Sequence, residues 1–384
     1  MNFAIPGDGE ASREAARAFG DEVILPSVIE RDQGRLWSGA LFERMGRAGL
    51  LGAPLPTAHG GGGRSALETC LTQEGFGQGA GDAGLGLAWG AHTLLCGAPI
   101  AALGTAEQQG RALPEMCAGT RVAALAADEA ATGADPVRIR TRAHRRGNGW
   151  VLSGEKSWVI NGPVAHLFLI TAVTAPERGA EGISAFLVER GTPGLCAGSS
   201  VDLPGMRTAA IGSLTLEECE VPAEFLLGPE GGGVTHVLRV ARRWERSLLL
   251  APWLGLMRAM IERSARHARS RVDFGRPVAS SQAARAMLAD MMIRLELGRR
   301  MVHRAACEID GDPGDGRHAA LAKLFLSNQA RASTADALQI HGLSGLCADA
   351  HVERWCRDAL LLTLVGGASE LLCSVIAAGW MEPR

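Results

Sequence analysis

Tyrosine is absent from this chain, and aromatic residues make up only 4% of it. So few rings argue against a surface that stacks nucleic-acid bases. Excess charge is missing too. Lys and Arg number 39 against 41 Asp and Glu, a formal net charge of −2. That leaves no electrostatic case for nucleic acid or an anionic membrane. The nine cysteines are scattered with no C-x-x-C pair. An odd set of scattered thiols fits a reducing cytoplasm better than a disulfide framework. The histidines show neither H-x-x-x-H nor H-E-x-x-H spacing, so no metal is expected. The N-terminus, Met1 to Asp8, lacks a basic region followed by an apolar one and is not expected to be a signal peptide. No apolar run is expected to approach the length of a membrane span; Leu248 to Ala251 is stopped by Pro252. A cytoplasmic location is the expectation.

What is present is the composition of a globular protein, with 47% hydrophobic and 21% charged residues. A chain of 384 residues exceeds one ordinary core, so two or three domains are expected. The periodicity changes twice. Residues 1–120 read as an α-helical domain: Ala15, Ala18, Phe19, Val23 and Ile24 recur at helical spacing, as do Leu41, Met45, Leu50 and Leu51. Thr105 precedes a helix as a cap. Residues 121–232 turn to short apolar runs broken by Gly and Pro. Gly149 to Ile160 reads as a hairpin, and 167–173, 183–188 and 214–216 as further strands of an antiparallel, barrel-like β-domain. Residues 233–384 return to long helical patterns. Val237, Val240, Ala241, Trp244 and Leu248 form one stripe, and Met287, Leu288, Met291, Met292 and Leu295 a second. Leu321, Leu324 and Phe325 mark a third helix and Leu360 to Ala377 a fourth, the pattern of a four-helix bundle. The fold class is α+β and multi-domain.

Short motifs recur along this order. Glu129 to Asp135 is similar to "TEPGAGSD", and Lys156 to Gly162 to "K-x-W-I-T-N-G". Arg271 to Pro277 with Gln282 resembles an "R-x-x-FG" segment. Leu288-Ala289-Asp290-Met291, Ala322-Lys323, Gln339-Ile340-His341-Gly342 and Arg357-Asp358 resemble "LADM", "AK", "Q-x-x-GG" and "RDA". Each is weak alone; their order over essentially the whole chain resembles the acyl-CoA dehydrogenase family of flavoproteins. The resemblance implies FAD as cofactor and dehydrogenation of an acyl thioester, carried by CoA or by a carrier protein. It also implies an electron-transferring flavoprotein as acceptor and assembly as a homotetramer or homodimer.

The chemistry needs a carboxylate to remove the α-proton and a flavin to accept hydride, which no side chain can do. In most relatives the base is the Glu of "EGT"; the corresponding residue here is Gly366. In the isovaleryl-CoA and prolyl-carrier-protein lineages it lies on the first helix of the C-terminal bundle, which corresponds to Glu245. The surroundings Trp244-Glu245-Arg246 look closest to the prolyl enzymes, which implies natural-product biosynthesis. Glu245 is therefore read as the base, with Gly366 leaving room for it. Arg246, Ala134 and Gly366 are read as substrate contacts. The resemblance assigns the cofactor to Asp128, Ala134, Trp158, Val159, Ile160, Arg271, Phe274, Gln282, Gln339, Gly342, Ala368 and Glu370. Read without it, Glu245 is a surface helix residue paired with Arg242, and Trp158 a strand-core aromatic.

The chain also departs from the pattern. Asp128, Ala134, Ile160, Leu343 and Ala368 stand where relatives carry Thr, Ser, Thr, Gly and Thr. Backbone amides can still hold a flavin edge and a pyrophosphate. Two other readings stay open: an oxygen-using oxidase or monooxygenase on the same scaffold, and a non-catalytic binding or scaffold homologue.

Overall fold

A computed structural model describes residues 7–133, 135–311, 316–348 and 351–381. The N-terminal part holds α1 (Gly7–Phe19), α2 (Val28–Gly34), α3 (Gly39–Arg47), α4 (Ala66–Ala80), α5 (Ala83–His92), α6 (Ala98–Leu103) and α7 (Ala106–Ala118). Ser65 and Thr105 cap α4 and α7 with reciprocal capping boxes. Residues 83–103 run on as one helical stretch through a π-turn. By length and composition this stretch could cross a membrane, which corrects the expectation that no such run exists. Its small residues, Gly84, Gly86, Ala88, Gly90 and Ala91, disguise it in the sequence. Since 89% of it is buried inside the protein, it is a core helix here.

The central sheet contains β1 (Ala123–Ala126), β2 (Arg142–Arg146), β3 (Gly149–Ile160), β4 (Leu167–Val173), β5 (Ile183–Glu189), β6 (Leu195–Ala197) and β7 (Ile211–Pro222). Its order is β1-β4-β2-β3-β7-β6, with β5 on β4. Most pairings are antiparallel, but β1–β4 and β2–β4 are parallel. Gly149 to Ile160 is one long strand rather than a hairpin; the turn lies before it, between β2 and β3.

The C-terminal part begins with a π-turn, Gly233–Leu238, then α8 (Arg239–Leu248) and α9 (Pro252–Ser270). A two-stranded ribbon follows, β8 (Val272–Asp273) and β9 (Arg276–Pro277). Then come α10 (Gln282–Asp310), α11 (Arg317–His341), α12 (His351–Ala359) and α13 (Ser369–Met381). The fourth helix expected over Leu360 to Ala377 is corrected: 360–368 is a turn between α12 and α13, because Gly366 and Gly367 both adopt positive φ. The main apolar core joins α9, α10 and α11 to α4 and α5. A polar clasp joins the three parts. The Arg354 guanidinium and the Trp355 Nε1–H of α12 donate to the Gly81 carbonyl, while the Met206 N–H donates to Asp358. Asp82 accepts from Thr208 and pairs with Arg31 at 2.8 Å. This clasp sets α12, and with it the 360–368 turn, against the rest of the molecule.

Candidate active site

Glu245 sits on the second turn of α8. The helix buries Ala241, Ser247 and Leu248 and packs Trp244 against the main core. It ends there because Pro252 opens α9 and cannot continue an upstream hydrogen-bond ladder. The π-turn just before α8 shifts its register, a device frequent at functional sites.

Among the described residues no hydrogen bond or ion pair engages the Glu245 carboxylate, so the expected surface pair with Arg242 is not formed. The residue keeps some accessible surface yet is crowded by protein atoms. That desolvation raises its pKa to about 7. The Asp128 carboxylate pushes the same way, and Arg242, Arg246 and Lys323 pull against it. Such a group is half ionised near neutral pH and has a free lone pair, the state a general base requires.

Gly366 faces Glu245 across the cleft. A Cβ placed there would lie 3.7 Å from Glu245 Cγ and 3.6 Å from both Leu249 Cδ2 and Lys323 Cε. These are ordinary contacts, so space for a Cβ does not by itself demand glycine. The backbone requires it, with φ of +69° at Gly366 and +95° at Gly367. Buried Lys323 on α11 donates to the Gly367 carbonyl. Ala368 is half-buried and Glu370 is exposed at the start of α13.

From the sheet side, Asp128 follows β1 and its carbonyl accepts from Ser157 N–H at 2.9 Å. Its side chain is accessible at the cleft. Crowding nevertheless pushes its carboxyl up, against the attraction of Arg242 and Lys156. The next residue anchors the loop. Glu129 Oε1 accepts from Lys156 Nζ at 2.9 Å, from Thr141 Oγ1 at 2.6 Å and from Thr141 N–H at 3.0 Å. Its Oε2 accepts from Arg140 N–H at 2.7 Å. Burial alone would push Glu129 up, but Lys156 and Thr141 prevail and hold its carboxyl below the usual range. Lys156 is fully buried. The sequence reading took both residues only as motif letters. Lys156 stands at a buried position of β3, flanked by the half-buried Ser157 and the exposed Glu155.

Trp158 is 57% exposed, so it is not the strand-core aromatic of the plain reading. A register shift between Lys156 and Val159, with φ of +58° at Trp158, turns the indole outward while Val159 stays buried. Ile160 is half-buried against the main core. Ala134 lies outside the described residues. Arg246 is half-buried, and its Nε is buried without a hydrogen-bond partner. An orphaned donor of that kind fits a ligand acceptor.

The remaining cofactor candidates stand apart from this cleft in sequence and lie on the surface of the C-terminal part. Phe274, at the tip of the β8–β9 ribbon, is fully exposed. Arg271 pairs with Asp273 at 3.0 Å. Gln282 opens α10, Gln339 is near the end of α11, and Gly342 follows it with φ of +58°; all three are exposed. The single chain brings Asp128, Glu245, Arg246 and Gly366 together, with Trp158 exposed one residue beyond the Ser157 that bonds the Asp128 carbonyl, but it leaves Arg271, Phe274 and Gln339 uncovered.

The residues present fit a flavin. Trp158 offers an exposed apolar face, the loop pinned by Glu129 and Lys156 offers backbone edges, and Glu245 is a carboxylate without a hydrogen-bond partner among the described residues. Ile160 and Asp128 supply no neutral hydroxyl, so polar contacts there would come from the backbone.

Residues 7–120, 124–219 and 231–381 match the models for the acyl-CoA dehydrogenase N-terminal, middle and C-terminal domains. The L-prolyl-[peptidyl-carrier protein] dehydrogenase of Pseudomonas fluorescens is 36% identical, over 90% of this chain and 91% of that protein. The crystal structure of the prolyl acyl carrier protein oxidase AnaB superposes with a TM-score of 0.96 at 32% identity, covering 99% of this chain and 100% of that one. The structure of PigA with FAD and proline gives a TM-score of 0.95 at 27% identity, covering 99% of each chain.

Proposed function

The chain belongs to the acyl-CoA dehydrogenase family, and we propose that Glu245 is its catalytic base. It is a FAD-dependent oxidoreductase that dehydrogenates an acyl thioester. FAD, when bound, supplies the hydride acceptor for the β-carbon. Trp158, Val159 and Ile160, with the backbone around Asp128, would hold its ring system. Arg271, Phe274, Gln282, Gln339 and Gly342 would serve the dinucleotide, with Ala368 and Glu370 beside the turn.

The Glu245 carboxylate removes the α-proton and holds it on its own oxygen. Three features support this: among the described residues no hydrogen bond or ion pair engages the carboxylate, burial and Asp128 raise its proton affinity toward neutral pH, and Gly366 places no acidic side chain against it. Arg246 would accept the thioester carbonyl as a hydrogen-bond partner for its orphaned Nε–H. The unpaired carboxylate in a shaped cleft argues against a non-catalytic homologue.

The substrate proposed is an aminoacyl group, prolyl first, carried as a thioester on a carrier protein in natural-product biosynthesis. Similarity to the prolyl-carrier-protein dehydrogenase carries that choice. The test is the visible spectrum of the purified holoprotein under anaerobic conditions. Bleaching of the flavin band by L-prolyl-carrier protein, and not by isovaleryl-CoA, is the expected result; the reverse preference would overturn the substrate class. An electron-transferring flavoprotein is proposed as acceptor. A second reading, direct use of oxygen, is favoured by similarity to a protein titled an oxidase. Stoichiometric hydrogen peroxide on aerobic turnover would select it. Assembly as a homotetramer or homodimer is proposed because a fully exposed Phe274 needs cover, and light scattering tests it.

A further inference from the structure

Lys323 is a buried cation with little visible compensation. It is 2% exposed, in the second turn of α11, and its ammonium donates a hydrogen bond to a backbone carbonyl, that of Gly367. Lysine is almost never fully buried without a partner, because its ammonium loses hydration. Burial accordingly pulls its pKa down to about 8, with Glu245 and Glu370 opposing and Arg246 assisting.

Geometry shows what the side chain does there. Its Cε and the Cγ of Glu245 lie 3.6 and 3.7 Å from the same point, the place a Cβ on Gly366 would occupy. The Gly366 end of the turn therefore lies against both side chains. One end of the lysine is fixed by the turn and the other by the helix core. Before and after the two glycines the turn is tied to itself: Leu364 and Val365 N–H donate to the Leu361 carbonyl and Ser369 N–H to the Thr363 carbonyl, each at 3.0 Å, while Lys323 ties Gly367 to α11.

We propose that Lys323 is the positioning residue of this site, tying the Gly366–Gly367 turn to α11 and setting a fixed cation against the Glu245 carboxylate. The inference rests on the reading of Glu245 as base. The charges that act on Glu245 come from three places: Arg242 and Arg246 on α8, Asp128 after β1, and Lys323 on α11; Glu370 on α13 acts on Lys323. Arg242 and Arg246 belong to the same helix as the base, whereas Lys323 reaches it from a different helix. It therefore reports the distance between α8, α11 and the turn.

Three variants of the holoenzyme separate the roles. Lys323→Gln keeps an N–H donor for Gly367 but removes the charge. Lys323→Arg keeps the charge with altered shape, and Lys323→Met removes both. The readouts are the pH dependence of anaerobic flavin bleaching by thioester, the thermal midpoint and the flavin content. With Lys323→Gln, the acid limb should move to higher pH by about one unit, a tenfold rise in the proton affinity of the base. KM should change less than kcat, and the thermal midpoint should stay near that of the parent. Lys323→Arg should return the limb toward its parent position, and Lys323→Met should shift the limb and also lower the midpoint. An unmoved acid limb in Lys323→Gln, with Glu245→Gln inactive, overturns the inference about Lys323. An active Glu245→Gln instead overturns the base assignment itself. If Lys323→Met fails to fold, the other two variants decide.

Discussion

Replacing Glu245 by glutamine changes one oxygen for an amide and removes the ability to take a proton. A positioned general base contributes about 10²- to 10⁴-fold in rate. At about 1.4 kcal/mol per tenfold, the variant should therefore raise the barrier by roughly 3–5 kcal/mol. The site predicts a second signature. A carboxyl raised from 4.5 to about 7 is protonated over most of the acid range, so the parent enzyme should accelerate as pH rises and level off above about 7. The same shift acts on stability with a defined sign. The folded state binds this proton more tightly than the unfolded chain, so its contribution is full below 4.5 and is lost as pH rises through 7. Glu245→Gln should then be more stable than the parent at pH 8, by about 1–3 kcal/mol, and nearly equal to it at pH 4.5. Stopped-flow bleaching of the flavin band across pH measures the first effect, and thermal unfolding of the two proteins at both pH values the second. A variant with parent-like bleaching, or a parent acid limb at the ordinary carboxylate pKa near 4.5, would refute the reasoning.

Asp128→Asn removes the carboxylate that raises the proton affinity of Glu245, so the acid limb should move to lower pH; a shift the other way would show that Asp128 acts through something else. Lys156→Met leaves Glu129 charged, buried and without its ion partner, and chemical denaturation should show a loss of about 3–5 kcal/mol. Trp158→Ala should weaken flavin retention while leaving the thermal midpoint of the apoprotein nearly unchanged, since the indole is 57% exposed; flavin content after gel filtration, with a melting curve, checks both.

The alternation of helical, strand and helical periods was legible because each element buries a face whose spacing matches its own geometry, as Val237, Ala241, Trp244 and Leu248 do on and before α8. Glycine-rich helices and turns were less legible. The 83–103 helix hid its length behind small residues, and Gly366-Gly367 interrupted what reads as a continuous helix from Leu360. Motif order pointed to Glu245 and Gly366 as a pair, but not to the reason for the glycine.

By itself, then, the sequence determined the three-part architecture, the family, the flavin chemistry and a short set of candidate residues, because these are written in local pattern and motif order. Tertiary structure alone decided which of them meet. It closed the cleft between β1, α8, α11 and the 360–368 turn, crowded Glu245 so that its proton affinity rises, and placed Lys323 against the Gly366 end of the turn. Desolvation and charge–charge distance depend on residues more than a hundred positions apart, and no local spacing carries that information.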